Sequence, residues 1–501
     1  MKPSLEFSSR YATAKRWREG VRSLIEEQFR YTCPGREKDF NRTRSDNKTV
    51  DETTTFTSLG EELANDLAGD FVTYYTPAEV KWANYIVTAP IQEDQQKAVL
   101  EMVQDREDTM HELLQASNYN DIAPQWGFEA ASHGTPALWS SFSHIAQPIH
   151  FEVVPPHELL ITPGHMGYLD RFRETRVLAS TLQALFQGYD VNLTERDLTE
   201  KMKKPGATVM VCWGFWLDWS DPGNPMWHCE ITVDQKAVVT KPIVLGPMAG
   251  ACPLLVGRFN PRTGMPWGRG AAIKALPDLR TLDKVNETVL SGLDQSLMNT
   301  IIYADDGFLD LSEGIDAGRA YPAHRGFSRE QVYDLSRSVN TDQGWFTAER
   351  LEAQIRMAFY QDGPRQRGDT PPTAAQWLDE RRRVQQRLGK PSAPIWSELI
   401  YPLVQRVEFM AVQLGRMPDA ITHDGQSITV APISPLQKAQ NQDKVMVTRS
   451  NLEMLMGLLG TQLPNFVDIL ATTEDVIRAS GDELLKLHKE PLQNEPAAPV
   501  Q

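Results

Sequence analysis

Residues 168–300 change their hydrophobic period twice, and this limits the possible folds more than any other stretch of the 501-residue chain. In YLDRFRETRVLASTLQALFQG, Val177, Leu178, Leu182, Leu185 and Phe186 share one helical face, and Gly188 is a natural stop. The next segment has period two. Val209, Val211, Trp213, Phe215, Leu217 and Trp219 lie on one side of a strand, and Trp227, Cys229, Ile231 and Val233 alternate with His228, Glu230, Thr232 and Asp234. SDPGNP between them supplies reversal chemistry. Helical spacing then returns through Leu279, Leu282, Val285, Val289, Leu293 and Leu297. The pattern predicts a β module carried between two helices.

A chain of this length exceeds one simple core, so two to four subdomains are expected. Its 51 Lys and Arg against 66 Asp and Glu give a net charge of −15. That balance argues against tight nucleic-acid binding, which needs clustered cations to release phosphate counterions. It leaves open a protein that lets nucleic acid pass. Cys33, Cys212, Cys229 and Cys252 form no zinc spacing, and those in strand patterns read as small buried hydrophobes in a reducing compartment. MKPSLEFSSR lacks an apolar signal core, and no apolar run is long enough to cross a bilayer.

Residues 7–30 read as an amphipathic helix packing Trp17, Val21, Leu24 and Ile25, followed by a long polar loop. Ser58 and Glu61 have capping-box spacing ahead of a helix with Leu59, Leu63, Leu67 and Phe71 on one face. Another helix near 93–116 carries Val99, Val103, Met110, Leu113 and Leu114. His133, His144, His150 and His157 lack the i,i+4 spacing that brings two imidazoles to one metal, so packing is the simpler reading. GRFNPRTGMPWGRG lacks both phosphate-loop and dinucleotide spacing and reads as a reversal into a helix, in which Pro277 marks the first turn or a kink. Adjacent Asp305 and Asp306 point apart on a strand, which makes a solvated turn the expectation. Leu351, Ile355, Ala358 and Phe359 define a further helix, and Thr373 to Gln376 caps the next. Gly389 and Pro391 are expected to interrupt that helix. Ile395, Leu399, Leu403, Val407, Met410 and Leu414 resume the stripe, with a kink at Pro402.

Five phrases, in order, resemble the podovirus-type portal, or head-to-tail connecting, protein family of tailed bacteriophages. They are TFTSLGEELANDLAGDFV, PWGRGAAIKALPDLRTLDKVNE, RMAFYQDGPRQRGDTPPTAAQWLDERRRVQQRLG, SELIYPLVQRVEFMAVQLGRMP and ISPLQKAQ, and the similarity covers most of residues 10–485. Thr373-Ala-Ala-Gln376 departs from the family's helix start, and the β insert is this chain's own.

The resemblance implies an α+β, mainly helical portal fold with wing, stem helices, β-rich clip, tunnel loop and helical C-terminal crown. Laid on this chain, residues 1–167 are the first wing part, 168–189 stem helix 1, 190–266 the clip and 267–300 stem helix 2. Residues 301–432 are the second wing part, with tunnel loop 361–372 and a long kinked helix 373–416; 433–485 are the crown and 486–501 a flexible tail. It implies a homo-oligomeric ring, a dodecamer, at one capsid vertex of the virion, assembled in the host cytoplasm. Double-stranded DNA passes through it non-specifically in packaging and ejection. Its partners are the major capsid protein, scaffolding protein, terminase and tail adaptor protein, with no direct membrane contact, cofactor, metal or catalytic residue.

Within that frame Arg365, Gln366 and Arg367 are the candidate channel-loop residues. Arg280, Asp283, Lys284 and Glu287, with Asp170, Arg171, Arg173 and Glu174, are candidates for ion pairs between stems. Among the tryptophans, Trp213 and Trp219 are expected in the core, and Trp216 with Asp218 on a contact surface of the clip. The competing readings are a polymer-hydrolysing enzyme, which needs two carboxylates converging in a cleft, and another assembly protein such as a tail adaptor.

Overall fold

The first helix, α1 (Leu5–Thr32), is held at its start by Ser4, whose hydroxyl accepts from the Phe7 N–H and donates to buried Glu230 at 2.5 Å. The structure is a computed structural model. It describes residues 2–41, 55–78, 81–87, 96–142, 147–247, 250–297, 301–303, 332–334, 341–361, 387–418, 421–423, 426–428, 430–432 and 448–457. In α1 the buried stripe is Phe7, Ala14, Ile25, Gln28, Phe29 and Thr32; Leu24 is exposed and Trp17 and Val21 are half-buried.

The helical core gathers α2 (Leu59–Tyr75), α3 (Gln96–Ala116), α4 (Tyr119–Ser132), α7 (Ala271–Leu297), α8 (Thr341–Ala358) and the helical run 387–413. Leu63, Leu67, Phe71, Val99, Met110, Leu113, Leu279, Leu282, Ile355 and Phe359 meet in it, as their spacing predicts. Ser58 does not form the capping box. Its side chain makes no cap bond, and its carbonyl instead accepts from the Glu61 and Glu62 amides. Gly389 and Pro391 do not interrupt the run either, for 387–395 is helical. The distortion falls later, as a π turn at Trp396–Ile400 ahead of Pro402.

The largest sheet has the order β4 (Leu159–Pro163), β5 (Leu169–Leu178), β6 (Thr208–Asp218), β7 (Met226–Val233), β8 (Lys236–Ala237), with β9 (Ile243–Pro247) also on β7. All its pairings are antiparallel. The hairpin over 208–233 is the one its period-two pattern predicts. The expected stem helix at 168–188, however, is strand β5 followed by a single helical turn, α5 (Leu182–Leu185). A helical reading places Asp170, Arg171, Arg173 and Glu174 on one solvated face. The strand instead sends Arg171 and Arg173 to one side and Asp170 and Glu174 to the other. Asp170, Arg171 and Arg173 are buried, with partners far away in sequence. Arg173 meets Glu152 at 2.8 Å and Glu158 at 3.1 Å, Asp170 meets Arg10 at 2.7 Å, and Glu174 accepts from the Tyr11 hydroxyl at 2.6 Å.

The expected clip is therefore not a separate module. Its strands continue a sheet begun at residue 159, and its inner face shares one core with Ile25, Phe29, Ala137 and Val154. A second sheet, β10 (Leu254–Val256), β2 (Ala137–Phe142), β3 (Ile149–Val153), joins it to the helices. Short pairs complete the described strands: β1 (Tyr85–Val87) with β15 (Val430–Pro432), β11 (Ile301–Tyr303) with β12 (Val332–Asp334), and β13 (Ile421–His423) with β14 (Gln426–Ile428).

The outer sheet face is covered by α1. Phe7, Tyr11 and Ala14 pack on Leu160, Phe172, Cys212 and Trp216. Gly214 lies under Phe7: an added Cβ would stand 2.5 Å from Phe7 Cε2 and 2.7 Å from Phe172 Cε1. At the other end of α1, Glu129 of α4 is buried and accepts from Arg36 at 2.8 Å and from His133 Nε2 at 2.7 Å. His133 Nδ1 accepts from the Thr135 amide, which places the proton on Nε2. Burial alone would raise the Glu129 pKa, but Arg36 and the His133 bond outweigh it and hold the carboxyl below its ordinary value.

Two outcomes follow. Gly214→Ala should cost about 1–3 kcal/mol in urea unfolding, with changed Trp216 fluorescence, because Phe7 or Phe172 must leave its rotamer. An unchanged midpoint would mean that α1 does not rest on the sheet. Glu129→Gln should cost about 1–3 kcal/mol at neutral pH, because half-buried Arg36 loses its 2.8 Å partner and keeps only Asp39 at 3.7 Å. Since the folded pKa is depressed, this stability is present above the ordinary value of 4.5 and lost as pH falls through the lower folded value. The gap between wild type and variant should therefore narrow in acid, and a gap independent of pH would contradict the assignment.

Candidate functional site

The residues singled out for function fall on the β6–β7 hairpin, on α7 and in the segment 361–372. Alternation along β6 sends Trp213, Phe215 and Leu217 into the inner core and Cys212 and Trp216 to the outer face. Trp216 is fully buried there, against Phe7 at 6.4 Å and His228 at 6.3 Å between ring centroids. It is not a surface contact. The sequence shows its partner strand but gives no sign that a helix 200 residues earlier covers it.

Asp218 ends the strand and folds the turn, accepting from the Ser220 hydroxyl at 2.6 Å and the Ser220 amide at 3.0 Å. The hydroxyl bond is the main reason its carboxyl titrates below the ordinary range. Trp219 is only half-buried. Its ring lies 5.0 Å from His165 and 6.0 Å from Tyr168, at the end of the sheet where Met166 is 75% exposed. Met166 adopts φ 54°, a left-handed conformation costly to an unbranched L-residue without local compensation.

On α7, whose 27 residues include Pro277 within the helix, the four candidate charges divide. Arg280 donates two bonds to Glu27 of α1, and Asp283 is buried and accepts from the Phe56 amide at 2.6 Å. Both are committed inside the chain. Lys284 and Glu287 form an exposed i,i+3 pair at 2.7 Å, of a kind that contributes little to stability. Arg365, Gln366 and Arg367 lie outside the described residues, as do Asp305, Asp306, His144 and the Thr373 to Gln376 cap.

Arg406 and Arg258 escaped the sequence reading, and Arg171, expected in ion pairs between stems, is used inside the chain instead. Arg406 is buried and binds the Ser140 hydroxyl at 2.9 Å and the carbonyls of Gly250 and Ala251 at 3.0 and 3.1 Å; burial lowers its pKa to about 10. Arg258 forks onto Glu398 at 2.8 and 2.5 Å. Arg171 donates to the Leu254 carbonyl and stacks over Trp227 at 5.1 Å. Together they tie the sheet, the segment 250–258 and the helical run 387–413 into one body. Such contacts have no sequence signal, because donor and acceptor stand 83 to 266 residues apart.

One cleft is lined by paired surface charge. A cleft of about 640 Å³ between α6 (Arg196–Lys203) and the β7–β8 turn contains Lys201 bound to Asp234 at 2.7 Å and Lys236 bound to Glu195 at 2.6 Å. Among the described residues no group of three or more His, Cys, Asp or Glu is placed to hold a metal ion, and no helix is long and apolar enough to cross a membrane. His133 is bonded to Glu129, His150 is exposed on β3, and His157 has no bonded partner at its buried Nδ1, so these three do not converge.

Among solved structures the chain is similar to one from the virion of a native gene transfer agent particle. The identity is 12%, over 80% of this chain and 86% of that one, with TM-score 0.32. It is also similar to a chain of the neck of an empty gene transfer agent particle, at 12% identity over 84% and 90% and TM-score 0.33. No curated protein matches the chain. The family model of the bacteriophage head to tail connecting protein matches residues 5–483, from the first turn of α1 through the large sheet and the helical core, and the chain belongs to that family.

Proposed function

We propose that the chain is the portal subunit of a tailed bacteriophage, forming a twelve-membered ring at one capsid vertex through which double-stranded DNA is packaged and ejected. The observation that carries this reading is the extent of the family match: residues 5–483 correspond as a whole, so the likeness is not one borrowed module. In this reading the ring meets the major capsid and scaffolding proteins during assembly, terminase during packaging, and a tail adaptor afterwards.

Helix length and charge agree with this reading. At about 1.5 Å per residue, α7 extends roughly 40 Å and is long enough to serve as one stave of a channel wall. A net charge of −15 per copy repels phosphate, which favours sliding over tight capture. With Trp216 covered by α1, the surface left for docking at the sheet's end is formed by Met166, Tyr168 and Trp219. The reading requires no chemistry of the subunit itself.

Negative-stain images of purified protein should contain rings with twelve-fold symmetry and a central channel; particles that remain monomeric at micromolar concentration would overturn the proposal. Deleting 364–368 should leave ring formation intact while reducing packaged DNA, measured as nuclease-resistant genome per capsid. Loss of rings in that deletion would assign the segment to assembly instead.

A further inference from the structure

Helix α7 begins where two stretches of backbone almost touch. A Cβ added at Gly268 would collide with the Gly134 carbonyl oxygen, and one at Gly270 with that of Ser132, so only glycine fits at either place. Arg269 stands between them on a fixed base. Its N–H donates to the Phe259 carbonyl at 2.7 Å, and the Gly268 N–H donates to the Thr135 hydroxyl at 2.9 Å. The first turn of α7 holds no acidic residue, so the helix's own sequence does not answer the positive end of its dipole.

Beside this base lies a cavity of about 300 Å³ between α1 and the start of α7. Leu24, Met265, Ile273 and Leu276 wall it together with three arginines, 262, 269 and 280, and none of its lining residues is acidic. Arg280 is taken up by Glu27, whereas Arg262 and Arg269 form no ion pair among the described residues. Two buried donors of the lining lack acceptors: Arg269 Nε, and Nε1 of Trp267, a residue 4% exposed whose ring stands edge-on to His133. A buried donor without an acceptor is costly, and two of them at one cavity that also gathers cations point to an anion. Leu24 and Met265 are each 38% exposed, so the apolar wall continues out of the cavity onto the surface. A phosphodiester backbone is gripped by exposed cations rather than by an apolar pocket, which favours a carboxylate carried on an apolar segment.

We propose that this cavity receives an acidic peptide. The carboxylate of a glutamate or aspartate from a second polypeptide enters beside Arg269, Arg262 and the Trp267 N–H, and a neighbouring apolar side chain of that peptide rests on Leu24 and Met265. The guanidinium fork matches a carboxylate with two parallel bonds. The site needs neither ring closure nor DNA.

The test uses the full chain and a capped leucyl-glutamyl-leucine tripeptide beside its glutaminyl counterpart, with affinity read by isothermal titration at low salt. Wild type should bind the glutamyl peptide about ten-fold more tightly. Arg269→Gln should erase that difference and leave the urea midpoint unchanged, because the side chain has no ion pair within the chain to lose. Trp267→Phe, which keeps a ring and removes the donor, should weaken the glutamyl peptide alone, and Leu24→Ser should weaken both peptides alike. Equal affinity for the two peptides in wild type would overturn the proposal, as would an Arg269→Gln variant that unfolds at lower urea. Tighter binding of a short DNA duplex that Arg269→Gln abolishes would also overturn it, since the cavity would then serve phosphate.

Discussion

The seating of α1 on the outer face of the large sheet is the contact on which the rest of the structure depends. Without it, the β5–β6–β7 surface would expose Phe172, Cys212 and Trp216 together with the buried carboxylates Asp170 and Glu230. With it, each carboxylate finds a donor, from Arg10 or Ser4, and the apolar groups meet Phe7 and Ala14. Apolar burial supplies the driving force, whereas the polar pairs fix where the helix lies, because an unpaired buried charge is far more costly than a misplaced methyl. Gly214 allows the close approach.

The same helix reaches the second centre of the molecule. Its last turns place Ile25 and Phe29 in the sheet core and Tyr31 in the helical core, and Arg280 of α7 grips Glu27. A sheet closed on both faces, a long α7 and the run 387–413 thus become one body through α1 and the arginines 171, 258 and 406. For a member of the head-to-tail connecting family, whose proposed work is to stand in a ring around a moving DNA duplex, such cross-bracing provides a rigid frame.

Much of the fold was legible in the sequence, because periodicity reports burial directly. The stripes in α2, α3, α7 and α8 and the β6–β7 hairpin stand where spacing places them. The failures share a cause. Asp170, Arg171, Arg173 and Glu174 read as a solvated helix face because charge normally marks solvent, but here Arg10, Tyr11, Glu152 and Glu158 compensate those charges inside the fold. Trp216 and Asp283, expected at contacts outside the subunit, are taken up within the chain for the same reason: the groups that cover or bind them are distant in sequence.

By itself, the sequence determined the family, the mixed helical and β character, and the core stripes, since these rest on local periodicity and on phrases that survive as strings. Only the tertiary structure decided that 168–178 is a strand, that the β module has no free face under α1, and which charges are committed within the chain. Those outcomes depend on desolvation and on partners brought together by the fold, and neither leaves a mark in the order of the residues.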